Sequence, residues 1–292
     1  MTITYPLLVN AIVAGLLMGG FYAALSVGAT VAFGLVDIVN IAHPTFAVIG
    51  SYGVLLLNRA FNVDPLLGGL LLTPLFYGAG ILLYQIYYHF FERRGDDPMR
   101  GLAFFFGLMF VAEVVLIMLF GVDFRYVNAA YTTTTWNFGA LALPLRIAVP
   151  FAGSLVMLIA LHLFLKRTFI GRAINAVAQD PLALRLVAVS PVRIKRIAFG
   201  IACASAALAG AFIIVIQPVQ PAAGREFIGR IFAICVLGGL GSLPGTAVAA
   251  ISLGLAENLS TIFIGASWAP AVAFGVLLAT LAWRPSGLFG RS

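Results

Sequence analysis

Asp37, Asn40 and His43 recur at every third residue of an otherwise apolar stretch. In a helix that spacing puts them on one slanting polar stripe. An ionised carboxylate at the centre of a bilayer costs about 2.5–3.5 kcal/mol on insertion scales, so Asp37 calls for a partner, a water-filled cavity or a place near an interface. Two chemistries fit the stripe: the polar lining of a path for a solute, or a helix-end cap together with a histidine bonded to a neighbouring carbonyl. Glu113, in Phe110-Val-Ala-Glu-Val-Val-Leu116, and Glu257, in Gly254-Leu-Ala-Glu-Asn258, pose the same choice. Each is a proton relay or solute contact, or else a hydrogen-bonded tie between helices. No second His, Cys or acidic cluster stands at ligand spacing from His43, and a metal site is not expected. The chain has no GxxxxGK[ST], GxSxG or HExxH, so neither a phosphate-binding loop nor hydrolytic chemistry is expected, and no cofactor.

The elements that must carry these residues follow from composition. The 292 residues are 62% hydrophobic and 9% charged, against about 45–50% and 25% in soluble domains. Such a chain needs a lipid bilayer as solvent. Apolar runs long enough to cross it lie at Leu7–Leu35, Leu66–Phe91, Leu102–Val122, Ile147–Leu165, Ile197–Gln217, Thr246–Ile264 and Ala266–Trp283. Two shorter runs, Pro44–Asn58 and Glu226–Leu240, adjoin breaks. The expectation is an all-α, polytopic transmembrane helical bundle of eight to nine spans, forming a single domain over residues 1–292.

The breaks are Gly34–Pro44 and Gly238–Gly245, the second containing Ser242. Irregular backbone at membrane depth must be surrounded by protein or water, and interrupted segments in both halves of a chain mark a pathway near the midplane. Tight turns between hairpin helices are the other reading. The translocation-path candidates are Asp37, Asn40, His43, Glu113, Ser242 and Glu257. Gly15-xxx-Gly19, Gly241-xxx-Gly245 and the Ala202–Ala211 stretch suit close helix packing, and Cys203 and Cys235 suit small buried thiols.

Net charge is +7, yet seven of the seventeen Lys/Arg fall within 166–196 and three more within 93–100. Clusters flanking apolar runs mark cytoplasmic loops and do not suggest nucleic acid. The N-terminus is then outside and the C-terminus cytoplasmic. The first 58 residues lack Lys and Arg, so Leu7 onward is read as a retained span and not a signal peptide.

Residues 168–190 differ from the rest. A helix-forming run to Gln179 is followed by Asp180-Pro181, an N-cap and a first-turn proline, and then by a second short helix over Pro181–Val189. This corner either lies on anionic headgroups, held by Arg172 and Arg185, or docks into a partner. The small residues Ala173, Ala176 and Ala183 favour protein contact.

Three patches here resemble the permease subunit of branched-chain amino acid ABC importers. They are Asn40-Ile-Ala-His43 leading to Gly50-Ser-Tyr52; Gly171-Arg172-Ala173 through Asp180-Pro181; and Val236–Gly245 with Gly254-Leu-Ala-Glu257. The resemblance runs from about residue 7 to 287. It implies that 168–190, with Gly171, Arg172, Ala173, Ala176, Asp180, Pro181, Ala183 and Arg185, is the segment that couples to an ATPase. It further implies Asn40 and His43 near the path, and an inner-membrane location. The implied partners are a second permease subunit, two ATP-binding subunits that bind the ATP, and a periplasmic solute-binding protein. The family usually has Gly where Ala188 stands, commonly Lys at Arg230, a small or polar residue at Pro44, and often Gly at Ala250. It also includes importers of amides, urea and aromatic acids. The competing class is an ion-coupled secondary transporter or channel using Asp37, Glu113 or Glu257.

Overall fold

The structure, a computed structural model, describes residues 5–95, 98–139, 141–284 and 286–290. Among the described residues, seven helical spans are long and apolar enough to cross a membrane: α1 (Tyr5–Leu35), α3 (Pro65–Phe90), α4 (Pro98–Phe120), α5 (Leu145–Arg167), α8 (Pro191–Ile216), α10 (Leu243–Phe263), and α11 (Ala269–Trp283) with the turn Ala266–Trp268 before it. The seven apolar runs read from the sequence are these helices. The two shorter runs are also helices, α2 (His43–Phe61) and α9 (Ala223–Gly238), neither of which meets that span criterion. The chain is thus an all-α, multi-pass membrane bundle. Two short helices, α6 (Phe169–Val177) and α7 (Pro181–Leu186), and one exposed hairpin, β1 (Thr135–Phe138) with β2 (Leu141–Pro144), complete it.

Helix boundaries follow local chemistry. Asp64 accepts the Leu66 amide at 2.8 Å with Pro65 at the first turn, starting α3, and Asn62 ends α2 in the left-handed conformation at φ 52°. Tyr131 of the loop after α4 donates to Asp64 at 3.3 Å; burial, then the Asp64 charge, raises the pKa of this phenol above its ordinary value.

The centre of the bundle is α8, whose alanine-rich middle is buried under α1, α2 and α3. Alanine there lets backbones approach where lipid supplies no hydrophobic drive. Ser51 of α2 donates to the Gly210 carbonyl of α8 at 2.7 Å. Another close seam is α1 against α10. A Cβ at Gly19 would lie 2.6 Å from Ile251 Cα, and one at Gly254 would lie 2.5 Å from the Gly15 carbonyl. Gly19→Leu should therefore overpack the seam by about 1–3 kcal/mol, seen as a lower unfolding temperature of the detergent-solubilised protein; an unchanged transition would contradict the seam. By contrast α4 and α11 present mostly exposed apolar side chains, as lipid-facing helices do.

Ala188, just past α7, sits at φ 60°. Glycine adopts this conformation freely, whereas a Cβ in the left-handed region costs about 1–2 kcal/mol. Ala188→Gly should slow hydrogen exchange of amides 184–190, whereas Ala188→Val should accelerate it.

Candidate functional site

After Leu35 the chain does not continue as a helix. Residues 36–42 run back alongside α1, with the Ile38 amide donating to the Ala32 carbonyl at 3.0 Å and Asp37 at φ 61°. The helical polar stripe expected for Asp37, Asn40 and His43 is corrected by this: Pro44 leaves room for helix only from its own first turn onward, and the three side chains part. Asp37 is exposed and lines a cavity of about 420 Å³ with Lys195 and Pro181. His43 is fully buried, its Nε2 3.2 Å from the Leu25 carbonyl. Leu25 lies ten residues before the end of α1, so α2 starts about 15 Å inside the level where α1 ends. Gly28 makes room for this ring, because a Cβ there would sit 2.5 Å from His43 Cε1 and 2.2 Å from Ser205 Oγ.

A second interruption matches the first. The Arg125–Val219 bridge holds residues 217–222 in an extended return after α8, and α9 begins at Ala223. A Cβ at Gly224 would meet Thr45 Oγ1 at 2.7 Å, so the first turns of α2 and α9 abut. Asn40 lies beside them, 6% exposed, with neither amide atom hydrogen-bonded within the chain. It lines a space of only about 10 Å³ with Phe33, Pro44, Ile231 and Phe232. No solute fits in that space.

The two intramembrane glutamates are both paired. Glu113 of α4 accepts Arg225 Nε at 2.7 Å and also bonds Arg225 Nη2, and the guanidinium lies 5.1 Å from the Phe110 ring centroid. Glu257 of α10 accepts Tyr22 Oη at 2.6 Å and Arg230 Nε at 2.8 Å. Thus α9 is tied to α4 by one pair, and to α1 and α10 by the other. Ser242 caps α10, accepting the Gly245 amide at 3.2 Å, and stands far along the chain from Asn40 in a separate cavity with Lys166.

At the other candidate site, Thr168 caps α6 by accepting the Gly171 amide at 3.0 Å. Gly171 lies flat on the end of α5, where a Cβ would be 2.3 Å from the Phe164 carbonyl. Asp180 caps α7, accepting the Leu182 and Ala183 amides at 2.8 and 3.0 Å, with Pro181 at the first turn. The small face expected to dock outward is corrected: Ala173 is buried and Ala176 half-buried against the chain's own bundle, leaving Ala183 alone exposed. The second helix also ends at Leu186 and not at Val189. What faces outward is Arg172, Arg185, Leu182 (68%), Leu186 (89%) and Val187 (68%).

Sequence reasoning missed Arg225 and Arg230 as partners and Tyr22, Gly28 and Gly224 altogether. The available signal was arithmetic: Arg225 and Arg230 stand beside and within the short apolar run Glu226–Leu240, in a chain that holds two glutamates in the middle of other apolar runs. Among the described residues, no group of three or more His, Cys, Asp or Glu could hold a metal.

A bundle with two interrupted helices meeting inside it, and an elbow outside it, has the build of a membrane transport subunit. The family model for the branched-chain amino acid transport system / permease component matches residues 11–281, and the chain belongs to that family. It is 29% identical to the high-affinity branched-chain amino acid transport system permease protein BraD of Pseudomonas aeruginosa, over 96% of this chain and 95% of that one. It is 27% identical to LivH of Escherichia coli K12, over 95% and 94%, and 29% identical to LivM of the same organism, over 91% and 67%. No solved structure matches. The chain is a permease component, a multi-pass subunit of the inner membrane and not an enzyme.

Proposed function

We propose that this chain is the membrane-spanning permease of an ATP-driven importer for branched-chain amino acids or related small carboxylates and amides. It works beside a second, homologous or identical permease, with two ATP-binding subunits on the cytoplasmic side and a periplasmic solute-binding protein. The relatives span nearly the same length and carry the branched-chain transport names. Its N-terminus faces outward and its C-terminus the cytoplasm, which sets the Lys/Arg-rich residues 166–196 inside. The seven long helices with α2 and α9 give nine crossings, those of α2 and α9 being incomplete because each begins at depth.

The observation that carries the coupling role is the apolar tip of α7. Leu182, Leu186 and Val187 stand 68–89% exposed beside Arg185 on an element capped for rigidity by Asp180. Such a tip fits a groove in a partner better than water. The solute path runs past Asn40 and His43, where α2 and α9 start against each other. Asn40 supports this because a buried amide without partners costs about 1–3 kcal/mol, and a path-facing role gives that amide something to bind. ATP binding draws the two ATPases together, the elbow carries the movement into α5 and α8, and the abutting first turns of α2 and α9 part. Gly171 serves this by seating α6 directly on α5, so that displacement passes between them without slack.

Glu113 and Glu257 hold helices together, each neutralised by an arginine, and Asp37 lies at an exposed end. None is the free intramembrane carboxylate that ion coupling requires. The deciding experiment is uptake into proteoliposomes carrying the permease pair with and without its ATP-binding subunits. Transport should require both those subunits and ATP. Uptake by the permeases alone, driven by an ion gradient, would overturn the proposal.

A further inference from the structure

A cavity of about 500 Å³ opens where the end of α5, α6, the end of α1 and the start of α10 converge. His162 and Lys166 of α5, Asn175 of α6 and Ser242 of α10 supply its polar wall, Leu243 and Phe289 part of its apolar wall, and no acidic residue lines it. Asn175 is already engaged, donating to the Leu165 and Gly171 carbonyls at 3.3 and 3.0 Å. Lys166 has no acidic partner within salt-bridge distance among the described residues. The cavity therefore presents one uncompensated ammonium with an imidazole one turn away, in a pocket half polar and half apolar.

Its surroundings point to lipid. Leu155 and Ile159 precede His162 and Lys166 on α5 at spacings of three and four, so the four share one helix face. Leu155 and Ile159 are 49% and 51% exposed, so an apolar strip leads from the hydrocarbon to the cation. Basic pockets between helices at the cytoplasmic surface take anionic phospholipid headgroups. We propose that this cavity binds the phosphate of an anionic phospholipid of the inner leaflet. The phosphate sits on Lys166 with His162 beside it, and one acyl chain lies along Leu155 and Ile159. Because α6 and the α9–α10 break both line the cavity, the headgroup bridges the coupling elbow to the bundle. The leaflet assignment rests on the orientation proposed above.

The test uses the assembled transporter. Phosphatidylglycerol retained on the complex is counted by native mass spectrometry, and its affinity over phosphatidylcholine is measured in mixed nanodiscs. Lys166→Gln should weaken phosphatidylglycerol binding about fivefold, the effect of one cation at a membrane surface, and Lys166→Glu should weaken it further. Arg193→Glu, a charge reversal on α8 outside the cavity, should leave retention unchanged. Equal retention by Lys166→Gln and the parent, or no preference for phosphatidylglycerol over phosphatidylcholine, overturns the site. Inorganic phosphate or glycerol phosphate displacing the lipid at low concentration would make the ligand a soluble anion and overturn the lipid assignment. Labelling of Thr135→Cys, on the exposed hairpin, from each side of sealed vesicles reports orientation separately, so a misplaced leaflet and an absent lipid site give different results.

Discussion

Replacing Glu257 with alanine should cost the protein about 3–5 kcal/mol, the largest single-residue effect expected in the bundle. Glu257 is 3% exposed and holds two donors, Tyr22 Oη and Arg230 Nε. Its loss strands a guanidinium whose side chain is 17% exposed, and leaves the Tyr22 hydroxyl without its acceptor. Against a total stability of about 5–15 kcal/mol, that should appear as a marked fall in unfolding temperature and in yield of monodisperse protein. Arg230→Ala strands the carboxylate and should lose a comparable amount. Glu257→Leu with Arg230→Met and Tyr22→Phe removes all the polar groups together, and should recover much of the stability. If the triple variant is stable and still transports, Glu257 is a tie between α1, α9 and α10. If it is stable but silent, the carboxylate acts on the solute. A Glu257→Ala protein as stable as the parent would refute the energetic assignment.

The second large effect is expected at the elbow. Leu182→Asp with Leu186→Asp should abolish association with the ATP-binding subunits while the permease still inserts and folds. Both side chains lie outside the bundle, and neither supports its packing. An apolar anchor central to an interface contributes about 2 kcal/mol or more, so each substitution should weaken docking by about 30-fold or more. Co-purification and ATP-driven uptake read the result directly. Ala176→Trp gives the opposite pattern, because Ala176 faces the chain's own core: the fold suffers first and docking only through it. Normal assembly with both leucines replaced would remove α7 from the interface.

Much of the architecture was legible beforehand because the bilayer imposes it. A run of apolar residues long enough to cross hydrocarbon has to satisfy its backbone internally, and a helix is the answer open to one segment. Hence the apolar runs at Leu7–Leu35 and Ile197–Gln217 return as α1 and α8 with only their ends moved. The breaks were legible in part: Pro44 disfavours helix before it, whereas glycine pairs also lie inside α1 and α3, at Gly19-Gly20 and Gly68-Gly69, so Gly238-Gly239 alone did not fix the end of α9. Asp180-Pro181 was equally local: a cap and a first-turn proline act within one turn, and α7 starts there.

What the tertiary structure decided were the partners and the directions of side chains. Periodicity puts Asp37, Asn40 and His43 on one face only if the backbone there is helical; the return of residues 36–42 sends one to an exposed end and two into the interior. Spacing marks a small face on α6 but not whether it meets the chain's own α5 and α8 or another protein. Glu113 meets Arg225 across 112 residues, and Tyr22 meets Glu257 across 235. Such pairings depend on which helices neighbour one another, and helix neighbours in lipid are chosen by the shape fit of small residues such as Gly19 and Gly254, a property of two surfaces together that neither segment carries alone.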